Sequence, residues 1–135
     1  MKENKTTKDA YIFGIGHWAC EALFLVGTNY LFMLLYTGFT DLPPAIIWGG
    51  LERLFVLPIH IAASIMVMHF VRKKDVRFFL LALFMHTVID TAIIPLQTFA
   101  QNPIMVEGYV FVSGLLCCYF LFIYNKFFNK ERNES

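Results

Sequence analysis

Three pairs of polar side chains stand four residues apart within runs that are otherwise apolar: His17 with Glu21, His60 with Ser64, and His86 with Asp90. That spacing puts the members of each pair on one face of a helix. Arg53, next to Glu52, precedes His60 by seven residues and shares its face. Imidazole and carboxylate donors of this kind suit a Zn²⁺ site, in which three protein ligands leave a fourth position to water. A neighbouring glutamate would then act as general base on that water. Each residue also has a plainer use. A single histidine can be an interhelical hydrogen-bonding contact, Asp90 can fix an imidazole tautomer without touching metal, and Glu52 can be a solvated charge at the bilayer boundary. Arg53 can hold a substrate carboxylate, pair with Asp90, or anchor the chain at an interface.

The elements that must position these groups are transmembrane helices. The chain has 135 residues, 58% of them hydrophobic, which is too apolar for a soluble domain of this size. About 20 apolar residues in a helix cross a bilayer. Four stretches meet that length, at 11–36, 45–71, 78–96 and 105–124, and they predict an all-α, polytopic bundle forming a single transmembrane domain over 1–135. The first run continues past the length of a signal-peptide core and is expected to stay as a helix. Ten of the eleven basic residues lie before the first span, between the second and third, or after the fourth, so both termini are expected on the cytoplasmic side. They leave no stripe for nucleic acid, and no such partner is expected.

Asp, Glu or Arg at the centre of a bilayer costs roughly 2.5 to 3.5 kcal/mol each on an insertion scale, which makes such residues functional candidates. At about 1.5 Å per residue, His17 and Glu21 lie roughly 13 and 19 Å beyond Lys8. His60 lies about 18 Å from Arg72, and His86 and Asp90 about 14 and 20 Å from Arg77, on the same rise. Five ionisable residues on three helices therefore reach one level. Arg53, about 28 Å from Arg72, falls near the opposite boundary.

Other features are expected to be structural. Asp41-Leu42-Pro43-Pro44 and Gln101-Asn102-Pro103 read as turns, and Pro58 as a kink in the second span. Cys20, Cys117 and Cys118 read as buried small hydrophobes, His69 as an interfacial residue beside Arg72, and the fourth span as packing and lipid contact. Met1–Lys8 and Asn129–Ser135 are expected to be loosely ordered.

The segments Gly14-Ile15-Gly16-His17-Trp18-Ala19-Cys20-Glu21-Ala22, Glu52-Arg53 with His60-Ile61 and Ser64, and His86-Thr87-Val88-Ile89-Asp90 resemble, in order and spacing, the three motifs of YhfC-type intramembrane metalloproteases, distant relatives of the CAAX prenyl proteases. The resemblance covers about residues 11 to 95. It implies a membrane-embedded peptidase with a divalent metal, taken as Zn²⁺, Glu21 as the activating base, and His60 and His86 as metal or water ligands. His17 would complete the ligand set, and Arg53 and Asp90 would support catalysis. It also implies additional helices, so this chain would be a core of the larger fold or draw helices from an oligomer or partner. The expected setting is a bacterial cell membrane, the expected substrate a membrane protein or peptide. Two other readings use the same residues: a haem protein with His60 and His86 as axial ligands, and a proton-linked carrier or scaffold subunit without catalysis.

Overall fold

The computed structural model describes residues 7–38, 45–100 and 102–133, and every element among them is helical. Helix α1 (Thr7–Glu21) passes through a π-helical segment (Ala22–Gly27) into α2 (Thr28–Thr37). Helices α3 (Ala45–Lys73) and α4 (Val76–Pro95) follow, then a second π-helical segment (Leu96–Ala100) and α5 (Pro103–Asn133). Four of the resulting helical stretches are long and apolar enough to cross a membrane, with α1 and α2 forming one of them.

Local chemistry explains the ends. Gly38, at φ 72°, closes α2 with its N–H on the Leu34 carbonyl at 2.9 Å, a positive-φ ending that glycine adopts without a Cβ clash. Between α3 and α4, Lys74 takes the left-handed position at φ 54° and Asp75 then caps α4, accepting from the Arg77 N–H at 3.0 Å. Asn102 caps α5 in the same way, accepting from Ile104 N–H at 3.0 Å, with Pro103 as the first helical residue. The Asp41–Pro44 turn lies outside the described residues. Helix α3 runs unbroken through Pro58. The tail expected to be loose is instead helical as far as Asn133, because α5 continues past its apolar span.

Helix α3 is the hub. Helices α1, α4 and α5 all pack on it, whereas α4 and α5 touch each other little. Half of the buried apolar side chains among the described residues are its own: Val56, Ile59, Ala62, Ile65 and Met66. Ile59 and Ala62 meet Cys117 of α5, with Met85 and Phe120 closing around them. The outer faces of α1, α2 and α4 present large apolar side chains such as Ile12, Phe32, Leu35 and Phe84, as a bilayer requires.

Helix association in lipid relies on close packing at small residues more than on the hydrophobic effect. Gly114 of α5 is such a point: a Cβ there would lie 2.5 Å from the Phe55 carbonyl oxygen of α3. Gly108, on the same helix, has open space where its Cβ would be. Gly114→Ala should therefore lower the detergent-solubilised unfolding temperature, at an overpacking cost of about 1–3 kcal/mol. Gly108→Ala should leave it unchanged or slightly raised, and thermal scans of the two variants side by side check the pair.

Candidate functional site

The site begins at another glycine. A Cβ on Gly14 would stand 2.9 Å from the Ile61 Cα and 3.1 Å from both the His60 carbonyl oxygen and Ser64 Oγ, so only glycine lets α1 and α3 cross this closely. One turn further along α1, His17 meets His60 edge-on with ring centroids 5.0 Å apart. From the other side, α4 brings His86 to 5.0 Å from His60 and 6.3 Å from His17. The three imidazoles thus converge from three helices, as expected from their depths. The edge contact of His60 with His86 leaves no room for a macrocycle between them, and the bis-His haem arrangement finds no support here.

Carboxylates complete the cluster. Glu21 Oε2 lies 3.3 Å from His60 Nε2, and Glu21 Oε1 lies 3.5 Å from Arg53 Nη1. Arg53 also donates to Glu52 Oε1, so one guanidinium joins two carboxylates. Asp90 Oδ2 sits 3.3 Å from His86 Nε2 on its own helix, the arrangement by which a carboxylate fixes an imidazole tautomer. Arg53 is thus found on Glu21 and Glu52, and among the described residues it forms no ion pair with Asp90. The cause is the antiparallel register: four residues forward on α1 from His17 matches four residues back on α3 from His60, so Glu21 falls at a level between His60 and Arg53.

His17, Glu21 and His60 offer one ligand atom each within 4.8 Å of one another. The donor chemistry suits a divalent ion. His60 is 1% exposed, yet neither ring nitrogen has a hydrogen-bond partner, and the buried His86 Nδ1 also lacks one. At 3.3 Å, the His60–Glu21 approach is within ion-pair range without hydrogen-bond geometry. Buried polar atoms are otherwise hydrogen-bonded as a rule, and orphaned imidazole nitrogens facing a carboxylate are what a cation would satisfy. A cleft of about 190 Å³ adjoins them, lined by Phe13 and His17 of α1, His60 and Ser64 of α3, and Phe79 and His86 of α4.

Several outcomes differ from the sequence reading. Only Cys117 is buried; Cys20 and Cys118 are exposed on the helix surface, because their positions on α1 and α5 face away from α3. His69 packs on Phe78 and Tyr124, remote from the cluster. The last span is more than packing: Glu107 of α5 is a buried carboxylate, and its position in that apolar run was the available signal. Trp18 supplies a further missed contact, its Nε1–H donating to the Arg53 carbonyl at 2.6 Å. Pro58 removes the donor of the adjacent Leu54 carbonyl, so an outside donor in this stretch of α3 is physically reasonable. Finally, the π-helical segment starts directly after Glu21; Thr28 and Asn29 side chains donate to the Phe24 and Leu25 carbonyls within it. Such widened turns occur often at functional sites.

Arg53 has one guanidinium for two carboxylates, and all three side chains are largely shielded, at 16–23% exposure. Arg53→Met should destabilise the protein by about 2–4 kcal/mol, somewhat below the range for a fully buried pair. Adding Glu52→Gln should restore part of that loss, a recovery readable in the unfolding temperatures of single and double variants.

No curated protein and no solved structure matches this chain. A family model does match, that of the YhfC intramembrane metalloprotease, over residues 39–110. The matched segment holds Glu52, Arg53, His60, His86 and Asp90, while His17 and Glu21 precede it. It covers 72 of the 135 residues, more than half, and its description agrees with the apolar helices and the convergent imidazoles: the chain belongs to the YhfC intramembrane metalloprotease family.

Proposed function

We propose that the chain is an intramembrane metal-dependent peptidase acting on a membrane-associated protein or peptide, with His17, His60 and His86 as the ligand set and Glu21 as the base. The observation that carries this reading is the buried His60, whose two ring nitrogens lack hydrogen-bond partners beside His17, His86 and Glu21. A divalent cation, Zn²⁺ by its preference for imidazole and carboxylate donors, would polarise the scissile carbonyl and acidify water there when bound.

The chain's own residues supply the rest. Glu21 accepts the proton of the attacking water at a carboxylate oxygen and returns it to the leaving amine. Arg53 holds that carboxylate through Oε1, which keeps Oε2 turned toward His60. Asp90 fixes His86 through Nε2, and the unpartnered Nδ1 remains for the ligand set. Phe13, Phe79 and Leu83 wall the cleft between α1 and α4 with apolar surface and limit water. Their outward exposure leaves a sideways entrance for an apolar substrate segment. With both termini cytoplasmic, the entrance opens in the cytoplasmic half of the bilayer.

Metal content of detergent-purified protein tests this. Zinc near one per chain should be lost in both His60→Ala and His86→Ala. Glu21→Gln should retain zinc while abolishing peptide hydrolysis; loss of zinc in that variant would make Glu21 a ligand. Asp90→Asn should weaken zinc binding about 10- to 100-fold. A folded wild type that takes up no divalent metal even when zinc is added would overturn the proposal.

A further inference from the structure

A second cleft, of about 390 Å³, lies at the end of the bundle remote from the α3–α4 turn. It adjoins Tyr30 of α2, Trp48 and Glu52 of α3, and Glu107 of α5, with Gln97 and Asn102 at the adjoining connection. Its lining is mixed polar and apolar, unlike the apolar cleft beside the imidazoles. The feature that requires explanation is Glu107. This side chain is 8% exposed, lines the cleft, and has a buried Oε2 without a hydrogen-bond partner. A carboxylate oxygen withdrawn from water and left unpaired is unfavourable by several kcal/mol or more. Glu52, the second acidic residue of the cleft, spends Oε1 on Arg53, so that guanidinium is already shared between Glu52 and Glu21.

We propose that this cleft binds an organic cation, a guanidinium or primary ammonium group, on the Glu107 carboxylate with Glu52 beside it. A bare metal ion fits less well: among the described residues, the donor atoms that converge closely enough for one ion are those of His17, Glu21 and His60, and neither Glu52 nor Glu107 joins them. The volume exceeds what one ion needs. Trp48 and Tyr30 add aromatic walls, surfaces that attract organic cations. Tyr30 is held there by a specific fit, since a Cβ on Gly49 would collide with its hydroxyl group. The amides of Gln97 and Asn102 add hydrogen-bonding capacity at the rim. This site stands independently of the peptidase reading, because none of its residues is among the proposed metal ligands.

The test is titration of the full chain in detergent with acetyl-arginine methylamide, followed by tryptophan fluorescence, with the uncharged citrulline counterpart and Zn²⁺ as parallel probes. Saturable binding of the arginine probe is expected, at least tenfold weaker for the citrulline probe. Glu107→Gln should weaken arginine binding at least tenfold, with an unfolding temperature near that of wild type. Gln97→Lys, at an exposed position, should also block binding by placing a competing cation at the rim, which keeps the test decisive if the glutamate variant folds poorly. His60→Ala should bind the probe as wild type does, separating this cleft from the imidazole cluster. Equal affinity for the two organic probes, a response to Zn²⁺ that survives His60→Ala in place of the arginine response, or full binding by either cleft variant would overturn the proposal.

Discussion

The structure turns on the burial of one imidazole. His60 sits at the centre of the helix that every other long helix packs against, and its ring nitrogens have no hydrogen-bond partners. In a low-dielectric interior, an unmet polar atom costs roughly 1–3 kcal/mol. Such a residue is tolerable only where something else compensates, and the neighbourhood is built to do so. His17, His86 and Glu21 approach from two different helices, and the crossing at Gly14 is what permits the approach of α1. A larger residue at position 14 would move α1 away from α3 and take both His17 and Glu21 with it. The approach of His17 and Glu21 to His60 and the packing of α1 on α3 are therefore the same constraint.

The charges follow from that register. Because α1 and α3 run antiparallel, Glu21 is carried past His60 toward Arg53, and Glu52 meets the same guanidinium from the other side. Glu21, Glu52 and Asp90 against Arg53 leave the cluster with two net negative charges when fully ionised, the amount that a divalent cation balances. Burying uncompensated charge is strongly unfavourable, and a buried ion pair is stabilising only when its remaining atoms are also satisfied. Arg53 Nε is itself buried without a partner. The arrangement is thus better suited to holding the Glu21 carboxylate in place than to stabilising the fold.

Much of this was legible in the sequence because helical periodicity and bilayer thickness are strong constraints. Polar residues at i and i+4 in apolar runs must share a face, and counting rise from the basic boundaries was enough to bring His17, His60 and His86 to one level. The same counting could not show which side chains Arg53 meets, because it tracks the backbone and ignores a long side chain and the partner helix opposite. It gave no sign of the π-helical widening after Glu21, where hydroxyl and amide side chains compete for backbone carbonyls. Cys20 and Cys118 were read as buried from apolar context alone, but in a four-span bundle most positions at bilayer depth face outward, and only Cys117 lies on the side of α5 that meets Ile59 and Ala62. Glu107 was a lone carboxylate without an i+4 partner, and its importance lies in contacts that periodicity does not encode.

Glu52 joins the two halves of the molecule. On one side it shares Arg53 with Glu21, and through Glu21 it reaches the imidazole cluster; on the other it lines the cleft with Glu107. A cation held in that cleft would meet a Glu52 already engaged by Arg53. The carboxylate that faces His60 thus shares one guanidinium with a residue of that cleft. Charges in water are screened within about a Debye length, but partly buried groups on packed helices are screened much less. Arg53 therefore joins the carboxylate of the imidazole cluster to that of the cleft directly, through side chains alone.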